Sequence, residues 1–90
     1  MFLTSAPFQS RGDVEPAEAF GQALRQRRRA ASLTQEQLAL QADLERVFIS
    51  WLETGHRQPT FQTMLKLAKV LKCSAADLVA EAEALIKASI

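Results

Sequence analysis

The sequence predicts an all-helical fold, and three observations lead to that prediction. Alanine, leucine, glutamine and glutamate, which all favour helices, are abundant, whereas the 90 residues include only three glycines and three prolines. Aromatic residues make up 7% of the chain and tyrosine is absent, which disfavours a β-sheet protein. Apolar residues recur every three to four positions along most of the chain. This length fits one small domain.

The first predicted helix begins at Pro16 and runs to about Ala31. Proline is favoured at the first position of a helix, where its missing N–H is not needed. Phe20, Leu24 and Ala31 fall on one face, which we expect to lie in the core. Arg28 continues the same face, so its guanidinium needs an anionic partner or must reach the surface.

The second predicted helix begins after Thr34. The Thr34 hydroxyl can accept a hydrogen bond from the first turn, and Gln37, three residues later, completes a capping box. Leu38, Ala39 and Ala42 then recur at the helical period. A short helix with one apolar face is therefore predicted.

A tight turn connects this helix to a third one. Asp43 is among the few non-glycine residues that tolerate the left-handed backbone that such a turn needs. In the third helix Ile49 and Leu52 point to one side, and Gly55 stands where helices commonly end in a left-handed residue. Two short helices joined by a tight turn form the helix-turn-helix pattern of many DNA-binding proteins.

The outward face of the third helix carries the candidate DNA contacts. A recognition helix enters the major groove with its N-terminal half, so the side chains expected to face base edges are Arg46, Val47, Ser50 and Trp51. Arg46 is the main candidate, because arginine can bond to guanine O6 and N7 together. The following loop and the next helix start supply candidates for phosphate contacts, namely Arg57, Gln58 and Thr60.

A fourth helix is predicted after Pro59, which ends any continuation of the third helix. Thr60 is suited to be its N-cap. The broad apolar face of this helix, which we expect to pack in the core, comprises Phe61, Met64, Leu65, Ala68 and Leu71.

The fifth predicted helix, about residues 74–88, has more apolar surface than a small domain easily covers. Ser74 and Asp77 form a capping arrangement at its start, and Leu78 is expected to close the core. A second, exposed stripe consists of Val79, Ala82, Leu85 and Ile86. An exposed stripe indicates a partner, and the simplest partner is the same helix of a second copy across a twofold axis. The alternative is a helix that folds back on its own domain.

Residues 1–15 show no helical period and are predicted to form a flexible N-terminal arm, so that the domain comprises residues 16–90. The arm lacks the basic region and the long apolar stretch of a signal peptide. No apolar run in the chain reaches membrane length. The single cysteine, Cys73, fits a reducing compartment, so we expect a cytoplasmic protein without membrane contact.

Residue type disfavours catalysis, and the charge pattern is equally compatible with a nucleic-acid partner and with an ordinary solvated surface. The net charge is only +1, but residues 25–72 carry nine basic and four acidic side chains, a local surplus of five. The single histidine, His56, and the single cysteine form neither a metal-ligand cluster nor a nucleophile–base pair. The chain also lacks a glycine-rich phosphate loop. We therefore expect no enzyme activity, no metal and no cofactor.

Four segments together resemble a known family, namely LTQEQLA, RVFISWLETG, RQPTFQTMLKLAKVL and SAADL. In this order and spacing they are similar to the Cro/repressor-type helix-turn-helix proteins, the XRE family, from about Phe20 to Leu78. The stretch ERVFISWLE resembles in particular small single-domain regulators such as the controller proteins of restriction–modification systems. The resemblance implies an all-α, five-helix, lambda-repressor-like domain in which helices 2 and 3 bind DNA.

The resemblance also implies roles for individual residues. Arg28 and Glu53 match an ion pair that ties the first helix to the recognition helix. Gln35 matches a glutamine that bonds to a phosphate. We expect Phe48 to pack at the helix edge, although the family's tyrosine at this position can reach phosphate. Glu45, at the start of the third helix, departs from the serine, threonine, aspartate or histidine that is usual there.

Two functions are compatible with this sequence. The first is a sequence-specific transcriptional regulator that binds a palindromic operator in double-stranded DNA as a homodimer. Its half-sites would lie about 34 Å, one helical turn, apart in the major groove. The alternative is an antitoxin or another protein-interaction module, which would bind a toxin or other protein through the N-terminal arm and the last helix.

Overall fold

The computed structural model describes residues 14–88, which form five α-helices and no strand. The helices are α1 (Pro16–Ala30), α2 (Gln35–Ala42), α3 (Arg46–Thr54), α4 (Phe61–Leu71) and α5 (Ala75–Ala88). The predicted all-α, five-helix class is therefore confirmed. Most of the predicted N-terminal arm, residues 1–13, lies outside the described residues.

Helix α1 packs against both α3 and α5, and these two contacts are the most extensive between helices of the domain. Helix α2 packs on α3 and α4, and α4 also packs on α5. Gly21 lies where α1 meets α3. A Cβ atom at this position would be 2.3 Å from the backbone oxygen of Leu52, so only glycine lets the two helices approach this closely.

Local sequence signals define the helix ends. Thr34 Oγ1 accepts a hydrogen bond from Gln37 N at 3.0 Å, and Gln37 Oε1 accepts one from Thr34 N at 2.8 Å, which is the predicted capping box. Asp43 ends α2 in the left-handed region (φ 59°), as predicted, and Gly55 ends α3 in the same way (φ 83°). The C-cap of helix α4 is Lys72, whose backbone is also in the left-handed region (φ 59°) although it is not a glycine.

The start of α5 is capped reciprocally. Ser74 N donates to Asp77 Oδ2 at 3.0 Å and Asp77 N donates to Ser74 Oγ at 2.9 Å, as the sequence predicts. Leu78 is fully buried and closes the core. Further along, α5 lies on α1, where Arg27 Nε donates to Glu81 Oε1 at 3.1 Å.

The core draws side chains from every helix. Leu38, Ala39 and Ala42 of α2 are buried as predicted. Across residues 14–88, the largest fully buried side chains are Leu24, Leu38, Ile49, Leu52, Leu67 and Leu78. These residues belong to all five helices, so the helices share one core.

Three residues that were expected in the core are exposed instead. Ala31 follows the last residue of α1 as its C-cap, so the helical period no longer applies to it. Phe61 and Leu65 are 65% and 48% exposed. Helix α4 packs against α2 and α5 with Leu67 and Leu71 facing the core. In this orientation Phe61 and Leu65 face solvent.

The predicted second stripe of α5 is only partly exposed. Val79 is 41% exposed, whereas Ala82 is 8% exposed and belongs to the core. Leu85 and Ile86 are half-buried and pack against the core. The expectation of an exposed surface is thus wrong for Ala82, because α5 lies on α1. The use of α5 in dimerisation stays a prediction.

Candidate nucleic-acid interface

Helix α3 is fixed from behind by Glu53, whose side chain is fully buried. Arg28 Nε donates to Glu53 Oε2 at 2.6 Å, and Arg28 Nη2 donates to Oε1 at 3.0 Å. The remaining Nη1 of Arg28 donates to Leu33 O at 2.8 Å. The predicted contact between Arg28 and Glu53 is therefore present, and it is bidentate, the geometry in which such pairs are strongest.

Two further side chains donate to the same carboxylate, and the sequence interpretation missed both. Gln35 Nε2 lies 3.1 Å from Glu53 Oε1, and Arg25 Nε lies 3.3 Å from the same oxygen. Arg25 precedes Arg28 by three residues on one helix, and this spacing was a signal that could have found it. The Glu53 carboxylate consequently connects α3 to both α1 and α2.

The surroundings of Glu53 keep it ionised. Burial by itself raises the pKa of the Glu53 carboxyl, because the core disfavours the charged form. The hydrogen bonds from Arg28, Gln35 and Arg25, together with the positive charge of Arg28, outweigh burial, and the pKa of Glu53 lies below its ordinary value. Among the described residues no buried side-chain nitrogen or oxygen lacks a hydrogen-bond partner.

The opposite side of α3 is open to solvent. Arg46 is its first residue and is exposed, while Val47 and Trp51 are 44% and 40% exposed. Ser50, on the same side, is half-buried. The structure thus brings the four predicted base-contact residues onto one face of α3. Their contact with DNA stays a prediction.

The polar residues predicted to contact phosphates differ in their surroundings. Gln35 uses one amide hydrogen in the contact described above. Thr60 Oγ1 accepts from Thr63 N at 3.1 Å as the N-cap of α4 and donates to Thr63 Oγ1 at 3.0 Å. Arg57 and Gln58 are exposed. Thr60 is exposed as well, but its hydroxyl is already engaged in these hydrogen bonds, so Arg57 and Gln58 are the better candidates for a phosphate contact.

Phe48 offers no side-chain donor for the phosphate contact predicted for it. The side chain is half-buried and packs against the core, and a phenyl ring has no polar atom. Its backbone N–H is also engaged, since it donates to Glu45 O at 3.1 Å. This packing agrees with the expectation that Phe48 lies at the helix edge, and its contact with a phosphate stays a prediction.

The chain turns back onto α3 after Gly55. His56 N and Arg57 N both donate to Trp51 O, at 2.9 Å and 3.3 Å. Arg57 Cζ lies 4.8 Å from the centroid of the Trp51 ring, within the range of a cation–π contact. One predicted base-contact residue and one predicted phosphate-contact residue are therefore in contact with each other.

The salt bridges of residues 14–88 all use arginines of α1, namely Arg25, Arg27 and Arg28. Within this range, Arg46 of α3 and Arg57 of the following loop form none. No group of three or more histidine, cysteine, aspartate or glutamate side chains in the described part of the chain could hold a metal ion. None of its helices is long and apolar enough to span a membrane.

Comparison with known sequences also indicates a helix-turn-helix protein. Residues 19–82 match a family model for a helix-turn-helix domain. The chain is 45% identical over 64 residues to the uncharacterized HTH-type transcriptional regulator RghRB of Bacillus subtilis, covering 70% of this chain and 46% of that protein. It is 39% identical over 61 residues to the control protein C.BamHI of Bacillus amyloliquefaciens, covering 67% of this chain and 75% of that protein.

Two solved structures have a similar fold. The clp gene regulator ClgR from Corynebacterium glutamicum superposes with a TM-score of 0.79 at 27% identity, over 83% of this chain and 80% of that one. The restriction-modification controller protein C.AhdI from Aeromonas hydrophila superposes with a TM-score of 0.68 at 37% identity, over 69% of this chain and 94% of that one. The fold of this chain is therefore that of these regulators.

Proposed function

This chain belongs to the helix-turn-helix family of transcriptional regulators, and we propose that it binds a palindromic operator in double-stranded DNA as a homodimer. The predicted resemblance to helix-turn-helix regulators and to controller proteins is confirmed by the family match and the relatives. The observation that carries the proposal is the exposed face of α3. On the buried side of α3, the Glu53 carboxylate accepts hydrogen bonds from three side chains and holds the helix in place. The exposed side is therefore presented in a fixed orientation, as binding in a DNA groove requires.

Arg46 is the proposed main base reader. It is the first residue of α3, where a recognition helix approaches base edges most closely. In the described part of the chain no carboxylate forms a salt bridge with it, so its planar donors are available to guanine O6 and N7. Val47 would contact a thymine methyl group, and Ser50 would bond to either kind of base pair.

Replacing Arg46 by alanine is expected to weaken binding to the selected operator by about 1–3 kcal/mol and to relax the preference for guanine at one position of each half-site. The operator would first be selected from random duplexes with the wild-type protein. Binding of each variant is then measured on the selected duplex and on an unrelated one.

Arg29→Ala is a matched control, because Arg29 is an exposed arginine of α1 without a salt bridge among residues 14–88. It removes one positive charge and should lower affinity for both duplexes equally. An Arg46→Ala protein that keeps the full base preference would disprove the assignment of Arg46.

The proposed dimer surface is formed by α4 and α5. Exposed apolar side chains outside α2 and α3 are concentrated on these two contacting helices, in Phe61 and Leu65 of α4 and Val79 of α5. Phe61 and Leu65 are four residues apart and share one face. This surface keeps Val79 and the half-buried Leu85 and Ile86 from the predicted stripe, and it adds two residues that the sequence placed in the core.

Val79→Asp is expected to convert the dimer to a monomer, because it places an unpaired charge in an apolar interface. Light scattering after size exclusion should show half the wild-type mass, and affinity for the operator should fall at least tenfold. Leu40→Asp is the control for the mass measurement, since Leu40 is 81% exposed but lies on α2. A wild-type protein that is already monomeric at micromolar concentration would contradict the proposal.

The relatives reported above are regulators and a control protein, which supports a function without catalysis. A DNA-binding regulator implies a cytoplasmic location. The toxin-binding alternative stays a prediction. Of the two surfaces that it would use, residues 1–13 of the arm lie outside the described residues. The other, α5, is part of the proposed dimer surface.

A further inference from the structure

The Trp51 and Arg57 side chains form a stacked pair at the C-terminal end of the exposed face of α3. Arg57 Cζ lies 4.8 Å from the centroid of the indole ring. Both residues are exposed, and Trp51 keeps 40% of its surface accessible. An exposed arginine ordinarily samples many rotamers, so a fixed neighbour of this kind limits where its guanidinium lies.

The backbone places the two side chains together. Gly55 ends α3 in a left-handed conformation, and the next two N–H groups, those of His56 and Arg57, both donate to Trp51 O. Thr54 Oγ1 donates to Ser50 O at 2.9 Å and lies 2.7 Å from His56 Nδ1, which further fixes this loop. The stacked pair is thus built into the way in which α3 ends.

Stacking leaves the hydrogen-bonding edge of Arg57 available. The guanidinium has five N–H donors, and its cation–π contact with the ring leaves free those donors that point away from the ring. Within residues 14–88 no salt bridge engages Arg57, unlike the three arginines of α1. A planar fork of free donors matches the geometry of a phosphate, which it can bind through two parallel hydrogen bonds.

We propose that Trp51 acts as a platform that orients Arg57 toward a DNA phosphate at the edge of the groove. Trp51 is then a positioning residue and not a base reader, which revises the role predicted from the sequence. The inference rests on the proposed function, since the phosphate belongs to the DNA that α3 would bind. Its consequence is that Trp51 contributes to affinity for every duplex and carries no sequence preference.

The test is a double-mutant cycle of Trp51→Ala, Arg57→Ala and the double variant, measured on the selected operator and on an unrelated duplex over a series of salt concentrations. Arg57→Ala should reduce the slope of log K against log salt by about one, as expected for one lost phosphate contact. Trp51→Ala should weaken binding to both duplexes by about threefold to tenfold. The double variant should bind no more weakly than Arg57→Ala alone, because Trp51 has no guanidinium to orient once Arg57 is removed.

A matched pair of variants separates stacking from bulk. Trp51→Phe keeps an aromatic face and should bind close to the wild type, whereas Trp51→Leu keeps apolar bulk without a π system and should behave like Trp51→Ala. The free protein offers an independent readout, since Trp51 is the only tryptophan in the sequence. Arg57→Ala should change its fluorescence emission while the circular dichroism spectrum stays the same.

Three outcomes would overturn the proposal. One is a double variant whose loss of affinity equals the product of the losses of Trp51→Ala and Arg57→Ala. Another is a Trp51→Ala protein whose base preference changes at one position, as expected of a base reader. The third is an emission spectrum of the free protein that Arg57→Ala leaves unchanged. A wild-type protein that binds no duplex at all would instead refute the proposed function and the phosphate contact with it, while the fluorescence measurement would still report the stacked pair.

Discussion

Replacing Glu53 by alanine is expected to lower the free energy of unfolding by about 3–5 kcal/mol at neutral pH, the range for removing one partner of a buried ion pair. The loss is large because Arg28 stays largely buried, with its side chain 10% exposed, and loses both of its bonds to the carboxylate. Gln35 and Arg25 lose the same acceptor. In a domain of this size each 1 kcal/mol lowers the melting temperature by about 4–8 °C, so Tm should fall by at least about 12 °C.

Glu81→Ala is the matched control for this variant. Glu81 also forms an ion pair between two helices, with Arg27, but the two side chains are 37% and 32% exposed. An ion pair this accessible to water contributes little to stability, because solvent and salt screen it. Thermal melts followed by circular dichroism compare the two variants directly. If Glu53→Ala unfolds at the temperature of Glu81→Ala, the buried carboxylate does not have the role assigned to it.

The pH dependence of stability separates the charge of Glu53 from its packing. The pKa of Glu53 is lower in the folded protein than in the unfolded chain, so its contribution is complete above about pH 4.5 and is lost as the pH falls through the folded pKa. The difference in free energy of unfolding between the wild type and Glu53→Gln should therefore be constant from about pH 7 to pH 5 and shrink below about pH 4.5. Urea denaturation across this range measures it.

Gly21→Ala is expected to destabilise the domain by about 2 kcal/mol, although the same change in an open helix would stabilise it by about 1 kcal/mol. The new Cβ atom would lie 2.3 Å from Leu52 O and 2.7 Å from Glu53 O. Both oxygens belong to the backbone of α3, which cannot move aside as a flexible side chain can. The helices α1 and α3 must therefore separate, and the bonds from Arg28 to Glu53 lengthen with them.

The decisive observation is whether Gly21→Ala raises or lowers the free energy of unfolding. Gln26→Ala serves as the control, because Gln26 is an exposed residue of the same helix and its replacement should change stability by no more than about 0.5 kcal/mol. A Gly21→Ala protein that is more stable than the wild type in urea would show that the close contact between α1 and α3 is absent. Operator binding should fall together with stability, since α3 is displaced from its support.

Local signals in the sequence predicted the helices and their ends accurately, because each such signal involves residues within one turn of each other. The capping box of Thr34 and Gln37 and the left-handed Asp43 are examples. The helical period failed where another effect determined burial. Ala31 is past the end of α1, and the orientation of α4 was set by its packing against α2 and α5, which exposed Phe61.

The candidate site was predictable to a smaller extent. The pair of Arg28 and Glu53 came from the family resemblance, but the additional donors Arg25 and Gln35 depend on how three helices meet, which no single segment encodes. The role of Gly21 had a visible signal, since a glycine inside a helix often marks a close approach of another backbone. Its partner on α3 was not predictable without the packing of α1 on that helix.

The position of α1 between α3 and α5 has a geometric consequence for the DNA that this protein would recognise. Helix α1 supports the recognition helix α3 on one part of its surface and the proposed dimerisation helix α5 on another. In a dimer formed through α4 and α5, the distance and the angle between the two α3 helices would consequently be set by the packing of rigid helices, among them the 15-residue α1, about 22 Å long, and not by a flexible linker. The way in which α3 and α5 pack on α1 would therefore contribute to the spacing of the two half-sites that such a dimer could bind.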